Sequence, residues 1–220
     1  MNRRVAWVML AMALGPELAA QGDVTARLAG RVPPPIAAAV SALADSARAR
    51  GLPVAPLVDK ALEGVVKGVP ADRILPAVRT VLDQLDAASA ALRGAGVTPA
   101  GDDAIEAGGF ALAAGLTPGD IGAIARSADR SHPTAVALQV AGALAAMGVP
   151  RAQTVGLVRG AIQSGRPVGD LVSLPGQVQA AMARGAPPAA AAAGLERAAT
   201  AHQAPRPHGQ GKGEGNPHKP

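Results

Sequence analysis

Residues 51–70 have the sequence GLPVAPLVDKALEGVVKGVP, a segment that begins and ends with glycine, one apolar residue and proline. Between these two triplets the apolar residues recur at intervals of three and four, which places them on one face of an α-helix. The segment therefore predicts one amphipathic helix with a sharp corner at each end. The members of its apolar stripe are Val54, Leu57, Val58, Ala61, Leu62, Val65 and Val66.

The same spacing of glycine and proline, with one or two residues between them, occurs eight times in the chain. Glycine adopts the left-handed conformation that ends a helix, and the residue after it is often apolar and folds back onto the last turn. Proline cannot continue that helix but is favoured at the first position of the next one. The pattern predicts an all-α chain of about nine or ten short helices joined by Gly-x-Pro corners. The pairs are Gly30 with Pro33, Gly51 with Pro53, Gly68 with Pro70, Gly96 with Pro99, Gly115 with Pro118, Gly148 with Pro150, Gly165 with Pro167, and Gly185 with Pro187.

Residues 51–85 align with residues 148–182 without a gap, which indicates an internal repeat of one helical hairpin. In this alignment the glycine and the proline of both corners coincide, and many apolar positions stay apolar. Corners of two or three residues make sequential helices neighbours. We therefore expect repeated helical hairpins that form either a compact bundle or a short α-solenoid.

A third and looser copy of the hairpin has its corners at Gly96 and Gly115. Threonine precedes the proline at both corners, so Thr98 and Thr117 stand where a helix N-cap is needed. Asp120 follows Thr117 by three residues, which is the spacing of a capping box. We expect both threonines to cap the helices that follow them.

The interior of the bundle is expected to be closely packed by small side chains. Residues 135–149 are almost wholly apolar but too few to span a membrane, which favours a central helix that is buried all round. Gly108 and Gly109 cost a helix about 1 kcal/mol each relative to alanine, so we interpret the pair as a close crossing of two helices. Phe110 is the only aromatic residue beyond residue 20, so alanine, valine, leucine and glycine must fill the core.

The two ends of the chain predict export and a flexible tail. Residues 1–20 have a short positive start, a ten-residue apolar run and a small-residue cleavage site near Ala20, as secretory signal peptides do. Residues 201–220 are rich in proline, glycine, histidine and lysine, a composition typical of disorder. Residues 21–200 are then one helical domain located in the periplasm or secreted. The alternative interpretations of the N-terminal segment are an uncleaved membrane anchor and an ordinary buried helix.

Composition excludes several classes of function. The net charge of +5 arises largely outside the predicted domain, because residues 21–200 carry 16 basic and 14 acidic residues. A domain so nearly neutral lacks the electrostatic footprint of nucleic-acid binding. The chain has no cysteine and no tyrosine, and His132 is the only histidine of the predicted domain, so most nucleophiles and general bases are missing. We predict no cofactor.

The C-terminal part of the predicted domain is rich in arginine. From Arg130 onward, the arginines outnumber the acidic residues, which suggests a surface for anionic lipid or an anionic envelope polymer. The alternative is a set of solvated side chains without a ligand. The candidate partner-binding residues are Arg151, Arg159, Arg166 and Arg184.

Asp102, Asp103 and Glu106 form the densest acidic cluster, and Asp102 and Glu106 share one helical face. Such carboxylates could hold a hard cation or perform acid–base chemistry. Acidic residues in the first turn of a helix are also stabilised by the helix dipole, and this second interpretation is the one we favour. His132 precedes a proline at a corner, where we expect it to cap a helix or to face water.

These features together predict an exported helical-repeat interaction or scaffold module without catalytic activity. Its partner would be a protein of the cell envelope. Two alternatives remain open at this point: a binder of anionic lipid or polymer that uses the C-terminal arginines, and a metal protein or enzyme built on the acidic cluster.

Overall fold

The computed structural model describes residues 24–203, with side chains through Ala198, and this part of the chain contains ten α-helices and no strand. The predicted all-α class and number of helices are therefore confirmed. The helices are α1 (24–28), α2 (Pro34–Ala49), α3 (Ala55–Val66), α4 (Ala71–Gly94), α5 (Asp102–Ala113), α6 (Pro118–Ala125), α7 (Thr134–Ala146), α8 (Arg151–Gln163), α9 (Val168–Ala183) and α10 (Pro188–Gln203).

The predicted boundaries of the domain can be compared with the helices only in part. The predicted signal peptide, residues 1–20, lies outside the described residues. The tail was expected from residue 201, but α10 continues to Gln203, so only residues 204–220 of it lie outside the described part.

The corners between helices have the predicted backbone conformation. All eight glycines of the Gly-x-Pro pattern have φ angles between 63° and 102°, which L-residues with side chains rarely adopt. After α2, for example, the amide of Gly51 donates to the carbonyl of Arg48 at 2.9 Å, and the amide of Leu52 donates to the carbonyl of Ala47 at 3.0 Å. Leu52 is buried against the turn that it follows. The prediction of a glycine-ended helix with an apolar residue folded back is confirmed.

Seven of the eight prolines stand before the first residue of a helix and not, as we predicted, at that residue. Of the eight, only Pro118 occupies the first position of a helix. Four others are N-caps with an extended backbone, so that proline's fixed φ suits the residue before the helix and its free carbonyl accepts the first helical hydrogen bond. These four are Pro33, Pro70, Pro150 and Pro167.

One of the two predicted threonine caps is present. Thr117 caps α6: its hydroxyl accepts from the amide of Asp120 at 3.3 Å, and the Asp120 carboxylate accepts from the amide of Thr117 at 2.9 Å. The prediction for Thr98 is wrong, because α5 begins at Asp102 with Gly101 as its N-cap. This start places two aspartates in the first turn, where the helix dipole stabilises acidic groups.

The helices form a compact bundle of two layers. The even-numbered helices α2, α4, α6, α8 and α10 make one layer, and the odd-numbered helices α3, α5, α7 and α9 make the other. Successive helices pack across the layers, and helices two apart in the chain pack within a layer, except that α3 and α5 stand apart. Stacked hairpins of repeat proteins have this neighbour pattern, in which each unit contacts only those next to it.

The helix boundaries agree with the predicted repeat at the corner inside each hairpin. Ala71 and Val168, which begin α4 and α9, are aligned residues of the two copies, and so are Val66 and Gln163, which end α3 and α8. The two hairpins therefore share one register at this corner, whereas α4 continues to Gly94 and α9 ends at Ala183, the residue that aligns with Asp86.

Glycine allows the helices to approach closely, as predicted. A Cβ on Gly108 of α5 would lie 2.9 Å from the Cβ of Ala88 on α4, and a Cβ on Gly109 would lie 3.0 Å from the Cδ2 of Leu85. The interpretation of this glycine pair as a helix crossing is confirmed. Helix α7 has Leu138 and Leu144 fully buried and makes its most extensive contact with α5. It is not buried all round as predicted, because Gln139 and Ala146 are exposed. Among the described residues, no helix has the length and apolar character that crossing a membrane requires.

Candidate functional site

Helix α5 forms a ridge between two grooves that are open to solvent. The first, which we name the α3–α5 groove, has a volume of about 410 Å³ and has α4 as its floor. Its rim carries Asp59, Lys60, Glu63 and Glu106, and its apolar lining includes Leu85 and Phe110.

The second groove lies on the other side of the ridge, and we name it the α5–α9 groove. It has a volume of about 350 Å³ and runs along α5, α7 and α9. Its apolar wall contains Val136 and Val140 of α7 and Val172 of α9, whose side chain is 54% exposed. Asp103 and Glu106 supply its acidic side, so Glu106 lines both grooves.

Phe110 lies on the ridge one helical turn after Glu106. The residue is 39% exposed, although it is the only aromatic residue in the described part of the chain. Its ring packs on the backbone of α7 at Gly142, where a Cβ would come within 2.5 Å of the Cδ1 of Phe110. Because Gly142 has no side chain, one part of the ring can contact the α7 backbone while the rest of the Phe110 side chain stays exposed to solvent. Exposed aromatic rings in fixed positions are common at protein interfaces.

The acidic cluster on α5 is electrostatically uncompensated. No hydrogen bond or ion pair joins Asp102, Asp103 or Glu106 to another side chain in the described residues. Partial burial raises the pKa of Glu106 above its usual value, and the nearby charges of Asp102, Asp103 and Asp59 raise it further. A nearby cation would relieve this penalty.

Most other carboxylates in the described part of the chain have a cationic partner. Examples are Asp59 with Arg27 at 2.6 Å and Glu63 with Lys60 at 3.0 Å. Glu63 also binds Lys67, and the hydrogen bonds from Lys67 and Lys60 lower the pKa of Glu63 to about 2. Asp103 and Glu106 of α5 differ from these because they line the grooves without forming an ion pair.

The structure gives no metal centre at the predicted acidic candidates. Across residues 24–198, no three acidic or histidine side chains come together in an arrangement suited to a metal ion. Asp102 and Asp103 do lie in the first turn of α5, which agrees with the interpretation as helix-stabilising charges.

The four candidate arginines are spread over α8, the corner after it and the end of α9. Arg151 forms an ion pair with Asp120 at 3.5 Å, and the Nε of Arg159 donates to the Ser127 hydroxyl at 3.0 Å. Arg166 forms an ion pair with Asp170 at 2.7 Å, and Arg184 is the C-cap of α9. Three of the four are therefore already engaged with neighbouring polar groups.

A third groove, of about 610 Å³, lies among α8, α9 and α10. The two copies of the repeat differ beside this groove, where Ala161 of α8 aligns with Gly64 of α3. A Cβ on Gly64 would lie 3.0 Å from the Cγ1 of Ile74, so glycine lets α3 and α4 close together, whereas α8 and α9 pack less extensively. The charged residues that line this groove, which include Arg166 and Glu196, have partners within the protein.

His132 is buried, in contrast to the prediction that it caps a helix or faces water. Only 2% of the residue is exposed, and its Nε2 lies 2.8 Å from the carbonyl oxygen of Arg166. This partner is 34 residues away in the chain, so the local pattern before Pro133 contained no indication of the contact.

The chain matches no protein-family model, and comparison with curated proteins and with solved structures found no significant similarity.

Proposed function

We propose that this protein is an exported, non-catalytic interaction module that binds a protein of the cell envelope along the α5 ridge. The observation that carries the proposal is the position of Glu106, a partly buried and unpaired carboxylate between two apolar grooves. The partner would place apolar side chains in the grooves and a lysine or arginine beside the acidic cluster.

Contact of the ridge with such a partner should be more favourable in free energy than contact with solvent. Hydrogen bonds to charged groups contribute about 1.5–3 kcal/mol when both groups are desolvated together. Truncation to alanine of an aromatic side chain held in a fixed position, such as Phe110, typically reduces the binding free energy of an interface by about 2 kcal/mol or more. The ridge offers both features within one helical turn.

The proposal can be tested by site-specific cross-linking of the full chain. A photoreactive residue at Ala113, which is exposed in the α3–α5 groove, should capture one partner from the cell envelope. The matched control is a photoreactive residue at Ala42, an exposed alanine of α2 in the opposite layer. Equal capture from both positions would contradict the assignment of the binding face.

Affinity for the captured partner provides the second part of the test. Phe110→Ala and Glu106→Gln should each weaken binding by about tenfold or more, since 1.4 kcal/mol corresponds to a factor of ten. Asp72→Asn, an exposed acidic change in the first turn of α4, is the control and should leave the affinity unchanged. Binding that is unaffected by both ridge variants would refute the proposal.

The alternative of an anionic lipid or polymer has less support, because three of the four candidate arginines are engaged. It predicts binding to vesicles that contain anionic lipid, with a loss of binding at high salt. The alternative of a metal protein predicts a higher melting temperature in the presence of a divalent cation, reversed by a chelator.

The export component of the proposal rests on residues 1–20 and predicts a mature N-terminus after Ala20, which N-terminal sequencing would check.

A further inference from the structure

Both ring nitrogens of the buried His132 face oxygen atoms that can only accept a hydrogen bond. Nε2 lies 2.8 Å from the carbonyl oxygen of Arg166, and Nδ1 lies 3.2 Å from the Oδ1 of Asp129. The same carboxylate oxygen accepts from the backbone amides of Ser131 and His132 at 2.8 Å each. These contacts hold the ring and the loop before α7 in one arrangement.

Only the protonated ring satisfies both contacts. An imidazolium carries an N–H on each nitrogen, whereas the neutral ring carries one, so one lone pair must then oppose an oxygen. The Asp129 carboxyl group does not supply the missing proton, because the backbone hydrogen bond from His132 holds the pKa of Asp129 below its usual range. Loss of the ring proton therefore replaces one attractive contact by a repulsive one, whichever tautomer forms.

The contact is placed where it can act on the α5–α9 groove. His132 stands two residues before the first residue of α7, and Arg166 stands two residues before the first residue of α9. These two helices are neighbours in one layer, and their side chains Val136 and Val172 form the groove wall. A hydrogen bond between the two corners therefore fixes the spacing of the helix ends at this side of the groove.

Charged residues stand at both of the corners that the ring joins and on α8. Its own corner carries Asp129 and Arg130, and the facing corner carries Arg166, whose side chain is paired with Asp170. Helix α8 contributes Arg159, which bonds Ser127 at the end of α6. Asp129 is the carboxylate that contacts the ring directly.

From this geometry we propose that His132 is a pH-sensitive latch that joins the corner before α7 to the corner before α9. The latch is closed when the ring is protonated and loosens when the ring is neutral, which lets the α5–α9 groove widen. The part of this inference that concerns partner binding rests on the proposed function. The latch itself is a property of the free protein.

The test measures the groove directly in the full chain without a partner. Because the chain has no cysteine, Gln139→Cys and Val172→Cys place two spin labels as the only thiol sites, one on α7 and one on α9 where the two helices line the groove. We expect a narrow distribution of label distances at about pH 5 and a broader or longer one at about pH 8. The same distribution at both pH values would overturn the latch.

His132→Gln is the matched control, because glutamine cannot acquire the second charged donor. In this variant the distance distribution should not change with pH. A pH response that survives in the variant would assign the effect to another group, such as Glu106, and would refute the role of His132.

If His132→Gln does not fold, nitrogen NMR of the unmutated chain decides the question. Both ring nitrogens of His132 should show the shifts of a protonated ring at the lower pH, and the loss of one proton should coincide with the change in label distance. A ring that is neutral throughout would overturn the proposal. None of these outcomes depends on a partner, so failure of the latch and failure of the proposed function are distinguishable.

Discussion

The crossing of α5 on α4 at Gly108 makes a quantitative prediction about packing. In Gly108→Ala, the new Cβ would lie 2.9 Å from the Cβ of Ala88, whereas ordinary contacts between such atoms begin at 3.4 Å. Neither atom is the end of a flexible side chain, and Ala88 is fully buried. The two helix backbones must therefore move apart by about 0.5 Å, the difference between these distances.

Two opposing terms determine the size of the effect. Overpacking of a close core contact costs about 1–3 kcal/mol. Replacing glycine by alanine inside a helix contributes about 1 kcal/mol in the favourable direction. The net change for Gly108→Ala lies between about zero and 2 kcal/mol of destabilisation.

A second glycine separates the two terms. Gly160 lies inside α8, and a Cβ added there would meet no atom within 4 Å. Gly160→Ala should therefore stabilise the protein by up to about 1 kcal/mol, because only the helix propensity changes. The difference between the two variants isolates the steric cost of about 1–3 kcal/mol, which corresponds to about 2–4 °C in melting temperature per kcal/mol.

Urea unfolding followed by far-ultraviolet circular dichroism is the appropriate assay, since the helices dominate that spectrum and the only tryptophan is Trp7. Ala88→Gly in the background of Gly108→Ala should recover much of the lost stability, because it removes the other partner of the clash. If Gly108→Ala is as stable as Gly160→Ala, the reasoning about the crossing is wrong.

Three further predictions concern charge and capping. Because the pKa of Glu106 is raised in the folded chain, the folded state binds the proton more tightly, and the free energy of unfolding should fall as pH rises above 4.5. Glu106→Gln should therefore be more stable than the unmutated chain at pH 7 but not at pH 4, and equal stability at both would contradict the argument. The pKa of Glu63 is lowered to about 2, so its stabilising effect is present above 4.5 and is lost as pH falls towards 2. Urea unfolding between these pH values should show a smaller acid loss in Glu63→Gln than in the unmutated chain, and parallel curves would exclude the contribution. Thr117→Ala should cost about 1 kcal/mol as a lost N-cap, whereas Thr98→Ala should change the free energy of unfolding little; equal effects would refute the assignment of the cap.

Much of the fold could be predicted because its determinants are local in sequence. The left-handed glycines at the corners follow from backbone sterics at single residues, and the repeat follows from an ungapped alignment. The crossing at Gly108 could be predicted because glycine inside a helix has an energetic cost that some contact must offset. The two-layer arrangement was only one of the possibilities, since it depends on contacts between helices that the local pattern does not encode.

The candidate site could be predicted only in part, for the same reason. The acidic cluster was recognised, but the exposure of Phe110 was not, although Glu106 and Phe110 are four residues apart and so share a helical face. That spacing was a usable indication. The sequence contained no such indication that His132 is buried, because its partner is the carbonyl of Arg166 on a different corner.

The position of the candidate site follows from where the repeat is interrupted. Four residues separate α3 from α4 and α8 from α9, but α5 is preceded by residues 95–101 and α6 is followed by residues 126–133. Because these connections are longer, the hairpin of α5 and α6 does not have to keep the spacing of the two copies that flank it. Helix α5 can then stand apart from α3 while it packs closely on α7, which leaves the α3–α5 groove open on one side of the ridge. An irregular hairpin between two regular copies thus provides the surface on which unpaired charge and an exposed ring can be kept without disturbing the core.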